Sequence, residues 1–241
     1  MSDLSPLLRK LEAHGKFPKE DREAVLGLPF TTREVAPATY LIREGEPPRV
    51  CTVLLSGYAF RHKIVANGGR QIVSLHIPGE AIDFEGIYLN CSDHNAQALT
   101  RAEVATIPMA AIRRLLAERP TFARAVLLDM LVEASVLREW VTNIGRRDSK
   151  TRLAHLSCEF ATRTLAQGVA GCTYELPMTQ EQIGDALGLT SVHVNRSIRA
   201  LESEGLITRN KRLLNVPDLA RLREAGDFSD LYLHADPQHA V

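Results

Sequence analysis

The rhythm of apolar and polar positions changes twice along the chain. Residues 1–28 predict two short amphipathic helices, one opened by Ser5-Pro6 and one formed by Lys19 to Leu26. From Thr39 to Ile107 short apolar runs alternate with Gly45, Pro47-Pro48, Gly57, Gly68-Gly69 and Pro78-Gly79. The runs Val50–Leu55, Tyr58–Val65, Gln71–Ile77 and Val104–Ile107 read as strands at regular spacing, the signature of a compact β sandwich or barrel. Asn67-Gly68-Gly69 between two of them predicts a hairpin turn, since asparagine and glycine tolerate positive φ.

After Pro108 the period becomes helical. Pro120 starts a long helix that stops near Gly145. Along it Val126, Met130, Glu133, Leu137, Trp140 and Ile144 recur at spacings of four and three, a heptad seam suited to a two-helix dimer interface. Glu133 is the polar member of that seam. The charged break Arg146-Arg147-Asp148 reads as a hinge. A second helix runs from Ser149 to about Gln167, and Val169 to Glu175 form a short loop or strand.

The segment after Pro177 is the most informative. Thr179 with Gln182 three residues on is a capping box. It starts a short helix with Ile183, Ala186 and Leu187 on one face, ended by Gly188. Thr190 is a second N-cap, and the next helix reaches about Ser203 with Val194, Ile198 and Leu201 inward. Two short helices joined by a glycine turn predict a DNA-binding helix-turn-helix. The outward face of the second carries Ser191, Val192, His193, Asn195, Arg196 and Arg199. Arginine bonds a guanine edge through two parallel hydrogen bonds, and asparagine does so for adenine. Thr179, Gln180 and Thr190 at the two helix starts complete the expected contact set. Ser197 stands where the motif usually has an apolar residue. Leu206 to Val216 read as a β-hairpin wing with Arg209, Lys211 and Arg212 near its tip, placed for phosphate.

Composition narrows the classes. The chain has 241 residues, 45% of them hydrophobic, with 29 basic and 29 acidic residues, so its formal net charge is zero. It is not a uniformly basic nucleic-acid coat, yet Lys150 to Arg223 hold ten basic and seven acidic residues, a local excess of three positive charges. No run approaches a membrane span, and the charged N-terminus does not resemble a signal peptide, so a cytoplasmic protein is expected. Cys51, Cys91, Cys158 and Cys172 are too scattered for a zinc site or a disulfide framework and are expected as reduced thiols. No phosphate-binding glycine loop, paired metal motif or nucleophile elbow points to an enzyme.

These motifs together resemble the Crp/Fnr family of bacterial transcription regulators, from about Leu28 to Leu219. Ile42-Arg43-Glu44-Gly45-Glu46, Leu55-Ser56-Gly57, Gly68-Gly69-Arg70-Gln71 and Ile77-Pro78-Gly79-Glu80 are similar to its cyclic-nucleotide-type sensor. Met178 to Ile207 are similar to its winged helix-turn-helix. The resemblance implies an α+β protein. A β-roll of the cyclic-nucleotide-binding type (a double-stranded β-helix) with its N-terminal helices is expected over residues 1–119, the dimerisation helix and hinge over 120–147, and the DNA-binding domain with its tail over 148–241. It also implies a homodimer on a pseudo-palindromic site in double-stranded DNA that recruits or blocks RNA polymerase, and no membrane partner. Arg196 stands where the family has the arginine that reads guanine. The glutamate four residues earlier, which accepts from cytosine, is Val192 here, so the half-site should differ at the base Val192 faces.

In the sensor the family's ribose-binding glutamate falls on Phe84, beside Asp83 and Glu85, and its phosphate-gripping arginine–serine pair on His94-Asn95. Leu137 and Arg138 match the helix positions that meet ligand. An aromatic ring cannot accept from a ribose hydroxyl, and a neutral histidine does not replace a guanidinium fork, so cyclic AMP is not expected as the ligand. No cysteine precedes Cys51, which argues against the family's N-terminal iron–sulfur cluster. His62, His76 and His94 leave haem open as a cofactor, and Cys91 leaves redox sensing open, although Asp93 beside it would raise its pKa. The alternative reading is a ligand-binding module that regulates a partner enzyme.

Overall fold

The computed structural model describes residues 3–165, 173–210 and 213–235. The chain forms two compact units, one of residues 1–63, 74–135 and 234–241, the other of residues 64–73 and 136–233.

The first unit opens with helices α1 (Ser5–Glu12) and α2 (Lys19–Leu26), as the periodicity predicts. Leu7, Leu8 and Leu11 of α1 are buried. Seven strands follow along the chain, β1 (Thr31–Val35), β2 (Tyr40–Ile42), β3 (Val50–Ser56), β4 (Ala59–Ile64), β5 (Arg70–His76), β6 (Asn95–Ala98) and β7 (Ala102–Pro108), with residues 64–73, the end of β4 and the start of β5, counted in the second unit. One antiparallel sheet has the order β1-β7-β3 and a second the order β2-β6-β4-β5. The turn after β4 is the predicted one, with Gly68 at φ +83° and the Gly69 N–H donating to Asn67 Oδ1 at 2.9 Å. Helix α3 (Met109–Glu118) then lays Met109, Ala111, Ile112 and Leu115 on a core shared with α1, β3 and β7.

Helix α4 (Pro120–Arg146) corrects the predicted seam. Val126 is 3% exposed and lies in the core of the first unit, and Met130 packs against that core. The Glu133 carboxylate pairs with Arg61 of β4. Trp140 is 6% exposed and donates to Glu159, 3.0 Å away. Ile144 is half-buried, and of the six only Leu137 is exposed. The helix's exposed apolar row lies one residue further on, at Leu127, Leu131 and Val141, which are 57%, 54% and 72% exposed, with Ala134 and Arg138 on the same line. Both rows have heptad spacing, and the chain's own core takes the one holding the largest side chains.

The second unit contains α5 (Ser149–Leu165), β8 (Thr173–Glu175), α6 (Gln180–Leu187), α7 (Ser191–Ser203), β9 (Thr208–Asn210), β10 (Leu213–Asn215) and α8 (Leu219–Ala225). Asp148 opens α5, its carboxylate accepting from the backbone of Thr151 and Lys150, which holds its pKa below the usual range. Arg147 beside it pairs with Glu139 at 2.7 Å and Asp227 at 3.0 Å, so the sequence's charged break is pinned from both sides. Helix α5 packs on α7 and α8, around Leu153, Leu156, Phe160, Ile198, Leu201 and Leu222.

Candidate nucleic-acid interface

The interface is assembled from two capped helices and a tight turn. Thr179 accepts from the Gln182 N–H at 3.2 Å while Gln182 Oε1 accepts from the Thr179 N–H at 2.8 Å. This reciprocal pair satisfies two of the donors a helix start leaves free. Gly188 ends α6 at φ +64°, ψ +38°, a left-handed conformation that favours glycine. Gly184 is required for a different reason: a Cβ there would stand 2.5 Å from the Leu189 carbonyl oxygen. The Arg152 guanidinium donates to the Leu187 carbonyl at 2.9 Å and so satisfies the last turn of α6. Arg70 and Gln71, which belong to the same unit, hold Asp185 and the Ala186 carbonyl of α6 at 2.7 and 3.2 Å.

Thr190 starts α7, its hydroxyl accepting from the His193 N–H and lying 3.1 Å from His193 Nδ1. Val194, Ile198 and Leu201 then turn inward and are buried. Ser191, Val192, His193, Arg196 and Arg199 are exposed, and Asn195 is half-buried. An open groove of about 550 Å³ runs along this face, lined by Gln180, Ser191, Val192, Asn195, Arg196 and Arg199. Six of the predicted DNA-contact residues therefore share one concavity. Among the described residues neither Arg196 nor Arg199 has a carboxylate partner, so both guanidinium forks are available to an acceptor. The off-pattern Ser197 is 2% exposed, and its hydroxyl has no hydrogen-bond partner among the described residues.

The wing is broader than a hairpin. Strand β10 pairs with β9, Leu214 opposite Arg209, and on its other side with β8, Leu214 opposite Tyr174. Buried Leu214 anchors it, and Arg209 is exposed on β9. Lys211 and Arg212 lie outside the described residues, as do Cys172 and most of the predicted Val169–Glu175 segment.

The residues predicted to line a sensor pocket largely have structural partners. Phe84 is buried in the apolar core of the first unit. The buried Asp83 carboxylate accepts from the Thr52 N–H at 2.8 Å, and burial raises its pKa to about 7. Buried Asn95 accepts from the Glu44 N–H at 3.2 Å. Buried His94 lies 2.9 Å from Asp93 and 3.5 Å from Glu85. Leu137 and Arg138 are exposed on α4. Sequence reasoning missed the centre of this region, Arg61, which alternates into the core as if it were apolar. Its guanidinium donates to the Ile82 carbonyl, to Glu85 at 3.1 Å and to Glu133. Burial raises the Glu133 pKa, against the attraction of Arg61. Among the described residues no cluster of histidine, cysteine and carboxylate side chains is placed to hold a metal ion. Cys51 and Cys158 are buried, which pushes the Cys158 pKa up to about 12, while Cys91 is exposed.

Comparison with known proteins matches both halves of the chain. The Crp-like helix-turn-helix domain family matches residues 151–225, and the cyclic nucleotide-binding domain family matches residues 32–119. The chain is 32% identical over 171 residues to the nitrogen fixation regulation protein FixK of Bradyrhizobium diazoefficiens, covering 70% of each. It is 29% identical over 196 residues to the transcriptional activator protein FnrL of Cereibacter sphaeroides, covering 79% of this chain and 78% of that one. The solved structure of FixK2 from Bradyrhizobium japonicum has the same fold, with a TM-score of 0.75 at 21% identity over 84% of this chain and all of that one.

Proposed function

This chain belongs to the Crp/Fnr family of DNA-binding transcription regulators, and from that premise we propose that two copies pair along α4 and together read a pseudo-palindromic promoter site. The observation that carries the reading is the groove on α7, where Asn195, Arg196 and Arg199 point outward from a helix whose opposite face is buried. Each copy lays α7 in one major-groove half-site, and the two half-sites lie about one helical turn apart. The exposed row of Leu127, Leu131 and Val141 supplies the apolar seam for pairing. Bound at a promoter, the dimer recruits or blocks RNA polymerase. Among the described residues no helix is long and apolar enough to cross a membrane, consistent with action in the cytoplasm.

The sensor does not use cyclic AMP in this reading. Phe84 offers no acceptor to a ribose, and the buried Arg61 guanidinium is already engaged by Glu85, Glu133 and a carbonyl. Gripping a phosphate there would require displacing carboxylates that are already in place.

The test is selection of sites from a random DNA pool by the purified full chain, repeated with Arg196→Ala. A symmetric site with guanine at one fixed position in each half is expected. Arg196→Ala should weaken it by about 1–3 kcal/mol and relax the preference for that guanine. If no site is enriched with or without cell extract, the chain is not a sequence-specific DNA binder, and the reading as a module controlling a partner enzyme takes its place.

A further inference from the structure

We infer that Val192 is a specificity-determining residue that reads the 5-methyl group of a thymine in each half-site. The inference rests on α7 being the major-groove helix. Residues 192, 195, 196 and 199 fall at i, i+3, i+4 and i+7, so they form one stripe along that helix. Val192 is 69% exposed and lies on the wall of the groove. Its companions on that wall, Gln180, Ser191, Asn195, Arg196 and Arg199, are all polar, so Val192 is the groove's apolar element.

The chemistry of base edges makes the choice. Cytosine presents an N4 amino donor in the major groove, guanine two acceptors, and adenine an acceptor and a donor. Any of these set against a valine loses its water and gains no partner, which disfavours it. Thymine alone presents a methyl group, which stands beside its O4 acceptor, and a valine set on the methyl gains apolar contact while O4 stays open to water or a neighbouring donor. The branched side chain is stiff at χ1, so little conformational freedom is lost in making the contact. Arg196, one turn further along the same stripe, faces a neighbouring base pair. The thymine should therefore lie next to, or one step from, the guanine that Arg196 contacts.

The experiment replaces thymine by uracil, which differs only in lacking the methyl group, one position at a time in the selected site. Binding by the full chain is followed by fluorescence anisotropy. One thymine per half-site should be sensitive, its replacement weakening binding about fourfold, the effect of burying one methyl-sized group. In Val192→Ala the loss at that position should shrink towards none, and Val192→Glu should move the preference there from thymine to cytosine, whose amino group a carboxylate accepts. The side chain is exposed, so both variants should fold, which circular dichroism checks. A selected site indifferent to uracil at every thymine would overturn the assignment while leaving the DNA-binding reading intact. Sensitivity that survives undiminished in Val192→Ala would also overturn it, because another residue would then be reading the methyl. Failure to enrich any site would remove the underlying reading and this inference with it.

Discussion

Individual side chains settle matters that no pattern predicts. Ser197 sits at an inward position of α7 between Val194 and Ile198, with a buried hydroxyl that has no partner among the described residues. A buried polar group without a hydrogen bond costs about 1–3 kcal/mol. Ser197→Ala should accordingly raise stability by about 1 kcal/mol, seen as a higher denaturation midpoint with unchanged slope. Asp83 behaves in the opposite way to an ordinary ion-paired carboxylate. Burial raises its folded pKa to about 7 from 3.8, so between these values the folded state holds a proton that the unfolded state has released. Stability therefore falls as pH rises from about 4 to 7 and stays low above that. The contribution is roughly 4 kcal/mol at 1.36 kcal/mol per tenfold change in proton affinity. Asp83→Asn keeps an acceptor for the Thr52 N–H and should be more stable than the parent at pH 8 but not at pH 4, as thermal melts across that range would report. The sequence placed Asp83 beside a pocket; it could not indicate that a backbone N–H of β3 would claim its carboxylate.

Among the elements, α4 carries the main lesson. Two apolar rows share one heptad spacing, and a sequence read in one dimension cannot say which is covered by the chain's own core. Val126 and Met130 are covered by it, while Leu127 and Leu131 stay exposed, as the proposed pairing requires. If two copies pair along this row as proposed, sedimentation velocity should find the parent dimeric and Leu131→Glu monomeric, with the circular dichroism spectrum retained. Met130→Glu should instead lower the melting temperature, since it puts a charge against the core of the first unit. Elements with strong local signals were legible: α1, α2, β3, β4, β5, β7, α6 and α7 follow periodicity, caps and turns. Strands β1 and β6 were not. Thr31–Val35 is exposed along four of its five residues, and Asn95–Ala98 holds no β-branched residue. Each becomes a strand because a neighbour offers a ladder: β1 pairs along β7, and β6 lies between β2 and β4.

For the molecule as a whole, a formal net charge of zero hides an asymmetry that matters for DNA. Affinity for a phosphate backbone follows the local cations and falls with salt in proportion to the number of phosphates neutralised. Arg209 is exposed on β9, and in the proposed dimer it would add one such contact per copy. Arg209→Gln should weaken binding to all DNA sequences alike and reduce the slope of log affinity against log salt by about 2 for a dimer. Titration of one specific and one scrambled duplex between low and moderate salt would check both effects.

The sequence by itself determined the class of the protein and the working end of it. Capping box, glycine turn, second cap and inward apolar spacing are all local in sequence, so they specify the helix-turn-helix and the outward face of α7 without help from distant residues. Tertiary structure decided what depends on which distant groups meet. It gave Val126 and Trp140 to the chain's own interior and turned Glu133 from a seam residue into the partner of Arg61. It also put Phe84 in an apolar core and showed Val192 as the one apolar side chain, among the described residues, lining a polar groove. Burial and long-range pairing belong to the folded chain, and spacing along one strand or helix does not encode them.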